Sequence, residues 1–140
     1  MTSINTWLKE LLTQSSTPLY NLVGDRVYPR ESLDSSVIGR PYLVFGLGNS
    51  TNDDIAEEDY LAERQFFQIW VHDEMTESGG SYLKINQIIP LVKQRLIGAK
   101  SPANGIITTK YLETSAEFSQ QTMSTIFKYV RFQSIIGKAM

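Results

Sequence analysis

Cysteine is absent from the 140 residues, and histidine occurs once, at His72. The first absence excludes disulfides, thiolate metal sites and cysteine nucleophiles together, and leaves the redox compartment open. The second leaves little for metal binding, and no carboxylates are spaced as a calcium loop requires. A histidine base also needs a nucleophile in reach and a third group to orient it. Asp73 and Glu74 follow His72 directly, but neighbouring strand residues point to opposite faces. A histidine closing a strand is ordinarily solvated, so no catalytic centre, metal site or cofactor is expected.

Charge of one sign is also lacking. Thirteen basic residues face fifteen acidic ones, for a net charge of −2, which gives no general attraction to nucleic acid. No run approaches the roughly 18 apolar residues that a membrane-spanning helix needs. The opening MTSINTWLKELLTQ interrupts its apolar residues with Lys9 and Glu10, unlike the unbroken core of a signal peptide. The expected site of synthesis and residence is the cytoplasm. No internal repeat or low-complexity tract is present, and the length fits one domain, residues 1–140.

What is present reads in order along the chain. Ile4, Trp7, Leu8, Leu11 and Leu12 recur at helical spacing, with Ser3 as a candidate N-cap. Thr17-Pro18 marks a second, short helix with proline at its first position. Leu19, Leu22 and Val23 would face inward, and Gly24 would end it. Arg26-Val27-Tyr28 then reads as a short strand that Pro29 terminates. A phosphate-binding loop places its glycines after a strand and before a helix; here the order is reversed, which makes LVGDRVYP a structural corner.

Tyr42 to Phe45 has the composition of a buried strand. Gly46 and Gly48 begin a GxG, but position 51 is Thr and no helix pattern follows, so this is not a dinucleotide fingerprint. The polar stretch NSTNDDIAEEDY reads as a loop carrying Asp53, Asp54, Glu57, Glu58 and Asp59 without a basic residue. In the next strand Phe67, Ile69 and Val71 alternate onto one face, and Phe66 and Trp70 onto the other. A strand with one wet face is polar at alternate positions; one apolar on both faces is covered on both sides or meets another protein.

Tyr82, Ile85, Ile89, Val92 and Leu96 keep one helical phase through Pro90, which predicts one kinked helix ended by Gly98. Lys84, Lys93, Arg95 and Lys100 would lie on its outward face or just beyond it. Two strands near 105–113 and 124–134 read as a hairpin. The fold class expected is α+β: a small mixed sheet of about five strands packed against an N-terminal helix and one long kinked helix.

The segments LVGDRVYP, GRPYLVFG, ERQFFQIWVHD and the closing IFKYVRFQSII resemble, in order and spacing, the tail-completion (tail terminator) proteins of long-tailed bacteriophages. The resemblance runs from Trp7 to Ile136. Gly24 to Pro29 would be the family's helix-to-strand corner, Pro41, Tyr42 and Val44 the start of its second strand, and Trp70 a residue of its third. The acidic loop and Pro90 depart from the family pattern. The resemblance implies a structural virion protein, assembled in the host cytoplasm, with neither enzymatic activity nor cofactor. It implies a homo-oligomeric ring, a hexamer, that caps the tail tube and offers the head–tail joining surface. Its partners would be the tail tube protein and the head–tail connector protein, with no sequence-specific nucleic acid and no membrane.

Candidate interface residues follow from the chemistry a ring needs. Phe66 and Trp70 give a strand a second apolar face, and Lys93, Arg95 and Lys100 offer positive charge for register. Asp53, Asp54, Glu57, Glu58 and Asp59 would either line the lumen or form a docking arm. The alternatives are a head–tail connector or other minor tail component, a stand-alone protein-binding module, and a hydrolase dependent on His72.

Overall fold

A computed structural model describes residues 4–29, 41–53, 60–74, 80–102, 105–120 and 125–139. Helix α1 (Ile4–Leu12) turns Trp7, Leu8 and Leu12 into the interior. It closes where the Thr13 hydroxyl donates to the Lys9 carbonyl at 2.6 Å; Ser3, the candidate cap, lies outside the described residues. Helix α2 (Pro18–Val23) follows the expected chemistry: the Thr17 side chain accepts from the Tyr20 N–H and proline occupies the first turn. Its end is Gly24, whose φ of 57° is a conformation that L side chains rarely adopt.

Strand β1 (Val27–Pro29) pairs parallel with β2 (Tyr42–Asp53), and β2 pairs antiparallel with β3 (Tyr60–Glu74). Helix α3 (Gly80–Leu96) then crosses to β4 (Ile106–Thr114), and the short β5 (Phe118–Gln120) precedes β6 (Thr125–Ala139). The sheet order is β1-β2-β3-β6-β4, with β5 pairing on β6. One parallel pair in an otherwise antiparallel sheet, packed against three helices, is a small mixed α+β fold.

The core lies between the helices and one face of the sheet. Leu43, Phe45, Phe67, Ile69, Val71, Val130 and Phe132 meet Trp7, Leu8, Leu12, Val23 and the α3 residues Ile85, Ile88, Ile89, Val92 and Leu96. Alternation explains the selection, because residues two apart on a strand share a face. Helix α3 is one element across Pro90, and Pro90 itself is exposed. Beyond it Gly98, at φ 76°, turns the chain and donates its N–H to the Thr109 carbonyl at 2.8 Å.

Three strand expectations need correction. Residues 49–53, read as loop, continue β2: Ser50, Thr51, Asn52 and Asp53 pair with Gln65, Arg64, Glu63 and Ala62. The closing hairpin contains an additional strand, β5, and β6 runs on to Ala139 rather than stopping near 134. For residues 50–53 and β5, backbone pairing to a neighbour holds a polar run extended where no apolar alternation marks a strand, and β6 runs on because it pairs with β3 as far as Tyr60.

Candidate functional site

The GDR corner helps to hold the fold together. Arg26 donates through Nε to the Pro41 carbonyl at 2.8 Å and through Nη2 to the Leu22 carbonyl at 3.1 Å. It thereby ties the end of α2 to the start of β2. Tyr20 donates its hydroxyl to Asp25 Oδ2 at 3.3 Å, and Lys9 Nζ reaches the Val27 carbonyl at 3.1 Å. Val27 is fully buried. These bonds use the corner to join α2, β1 and β2.

His72 is not solvated as a strand-end histidine would be. It is 8% exposed, stacked on Tyr42 at 4.7 Å with 5° between planes and on Phe127 at 4.9 Å. The register explains this: Tyr42, His72 and Phe127 lie directly opposite one another on β2, β3 and β6. The stack continues to Tyr28 on one side, at 6.1 Å, and to Phe118 on the other, at 5.3 Å. A ladder of aromatic rings thus crosses the sheet on the face opposite the helices. Such a site packs the imidazole as a ring rather than presenting it to a substrate. Among the described residues, no group of three or more His, Cys, Asp or Glu is placed to hold a metal ion.

The same outer face carries a second row. Val44, Trp70 and Tyr129 are paired in register, followed by Gly46, Gln68 and Arg131. Phe66 and Trp70 are half-buried here, while Phe67, Ile69 and Val71 on the other face are fully buried. None of the described helices packs over this row, since their apolar residues join the core on the opposite face. Beside the bulge at Leu47/Ser50 lies a notch of about 200 Å³, lined by Gly46, Leu47, Gly48, Phe66, Phe67, Gln68, Trp70 and Arg131. The two glycines, read in sequence as an incomplete nucleotide motif, are among its lining residues. Gln65 secures the bulge beside it by donating to the carbonyls of Gly48 and Phe66, at 2.9 and 3.0 Å. Arg131 pairs through Nη1 with Glu113 at 3.1 Å, both about half exposed.

The basic candidates lie elsewhere. Lys93 sits over the Tyr111 ring, 4.1 Å from its centroid, and Tyr111 packs edge-on against the core residue Phe132. Arg95 donates to the Leu11 carbonyl at 3.4 Å and to the Gln14 side chain, which ties α3 to α1. Lys100 is exposed after the helix. The structure therefore groups Phe66 and Trp70 together but places Lys93 and Arg95 on the helix layer behind them. Asp53 ends β2 opposite Ala62, whereas Asp54, Glu57, Glu58 and Asp59 lie outside the described residues. Sequence reasoning did not find Arg131 or the notch, because both depend on cross-strand register. The one available signal was a pair of glycines inside an apolar strand, which marks a bulge or a close approach.

No protein-family model matches the sequence, and no curated protein does. Among solved structures, a chain of the virion of a native gene transfer agent particle superposes with a TM-score of 0.68 at 17% identity. The alignment covers 94% of this chain and 92% of that one, so the two share a fold over nearly their whole lengths.

Proposed function

We propose that this chain is a structural virion protein that forms a ring of six copies, caps the tail tube and carries the head-joining surface. The observation supporting the reading is the two-way coverage of the fold match, 94% and 92%, to a chain of a gene transfer agent virion. The aromatic outer face agrees with this reading. Partly accessible apolar surface that is rimmed by polar residues and not packed by any of the described helices suits contact with another protein.

Electron microscopy of the purified protein, alone and mixed with tail tubes, tests the reading. Rings that seat on tube ends are expected. Rings that ignore tubes but bind the head-side connector would replace the terminator reading with the connector one. A protein that stays monomeric and leaves tubes open would end both. The role proposed involves no turnover, so esterase, phosphatase and nuclease substrates should remain intact. Activity abolished by His72→Ala, or stoichiometric zinc by elemental analysis, would overturn that part.

A further inference from the structure

We infer that, in the ring proposed above, the outer face around Trp70 and Arg131 docks into a groove beside α1 on the next copy of this chain. The inference rests on that ring reading and names both surfaces of the contact between subunits.

The groove holds about 580 Å³ and is lined by residues of α1, from Asn5 through Glu10 to Thr13 just past its end, and by Pro29 and Phe45. Pro29 and Phe45 are register partners on β1 and β2. Phe45 belongs to the core cluster, which places the groove on the helix side of the sheet. The polar lining is strung along the helix for about 12 Å, at ~1.5 Å per residue. A small-molecule site instead converges a few polar groups on one ligand. An apolar floor under a long polar rim suits a protein surface.

Charge selects the occupant. On the rim, Glu10 is exposed and has no ion-pair partner among the described residues. Beside it Lys9 gives one N–H to the Val27 carbonyl and keeps others to spare. The outer face carries the converse set. Trp70 and Arg131 line one notch there. Arg131 engages Glu113 through a single guanidinium nitrogen, which leaves donors for a second carboxylate. With this face seated in the groove, Trp70 would lie on Pro29 and Phe45, Arg131 would meet Glu10, and Lys9 would meet Glu113. Each surface offers an apolar element beside one acid and one base, so opposite signs pair across the contact.

The contact cannot form within one chain. Trp70 pairs with Val44 and shares its face, while the neighbouring Phe45 faces the other way. The sheet therefore stands between a chain's own groove and its own Trp70. Nor can two copies satisfy both contacts at once, because the two surfaces point in opposite directions. The association runs head to tail, the geometry that closes into rings.

A charge exchange in the full chain tests this. Glu10→Arg and Arg131→Glu change exposed side chains, so each variant should melt within a few degrees of the unmodified protein. In analytical ultracentrifugation the unmodified protein should sediment as rings. Each variant alone should associate about tenfold more weakly or worse, because like charges meet at every contact. Mixed in equal amounts, the two variants should recover ring formation. In alternating order, every contact pairs either Glu10 with Arg131 or the two exchanged side chains with each other. Normal rings from either variant alone, or a mixture that associates no better than its components, would overturn the contact and leave the ring reading standing. Unmodified protein that never forms rings, alone or on tubes, would remove the ring reading itself and the contact with it.

Discussion

Two aromatic residues three apart on β3 do different work, and the difference is measurable. Phe67 is fully buried and stacked on Phe132 at 5.4 Å. Phe67→Ala should cost about 3–5 kcal/mol, because the lost transfer energy is joined by a cavity that the sheet cannot close. Trp70 is half-buried on the outer face between Val44 and Tyr129. Trp70→Ala removes cross-strand contacts worth about 0.2–1 kcal/mol each, so its loss should stay below ~2 kcal/mol. Urea titration of both variants checks the ranking, and equal losses would mean that Trp70 is core. Arg26 offers a polar counterpart. Its bonds to the Leu22 and Pro41 carbonyls are charge-assisted and partly buried. Arg26→Met keeps the apolar stem but leaves those carbonyls without their donor, and should cost about 2–3 kcal/mol in the same titration.

At the scale of elements, what the sequence made legible was whatever is periodic and apolar. Helix α2, from Thr17 to Gly24, could be read from its cap, its proline and its glycine, because each acts within one turn. The division of β3 into Phe67, Ile69 and Val71 against Phe66 and Trp70 was readable for the same reason. What escaped was set by pairing. The polar run Ser50–Asp53 is strand because it lies against Gln65–Ala62, and β5 because Phe118 lies against Phe127. The aromatic ladder and the notch exist only once Tyr42, His72 and Phe127, or Gly46, Gln68 and Arg131, are brought into line. Pro90 belongs at this scale too. It is exposed and interrupts a 17-residue helix without ending it. It cannot donate to the Asn86 carbonyl, and its ring crowds that group. Pro90→Ala should therefore raise stability by about 1–3 kcal/mol, seen as a higher melting temperature. No gain would mean that the surrounding packing already compensates for the proline.

At the scale of the whole molecule the proposed ring raises the question of which surface another copy would meet, an edge of the sheet or its outer face. Open edges invite pairing with other chains unless something blunts them. The β1 edge is three residues long, and Lys9 occupies the Val27 carbonyl. The β4 edge is longer, but Gly98 takes up the Thr109 carbonyl, and register shifts between Ile106/Thr108 and Tyr111/Glu113 break its regularity. Both edges are thus poor templates for a further strand. The outer face is mixed: Tyr42, Val44 and His72 are buried on it, while Phe66, Trp70 and Tyr129 stay partly accessible and the described helices pack behind it. A charge placed on the face should then disrupt assembly, and one placed on the edge should not. Leu112 is exposed on β4, so Leu112→Lys tests that edge strand with little effect on the fold. Trp70→Asp tests the face. The expected result by light scattering is assembly close to normal for Leu112→Lys and folded monomer for Trp70→Asp. The opposite pattern, with lysine on β4 abolishing assembly and Trp70→Asp leaving it intact, would move the contact to the edge. An unfolded Trp70→Asp would instead show that this face is buried within the subunit, because an unpaired charge there costs several kcal/mol.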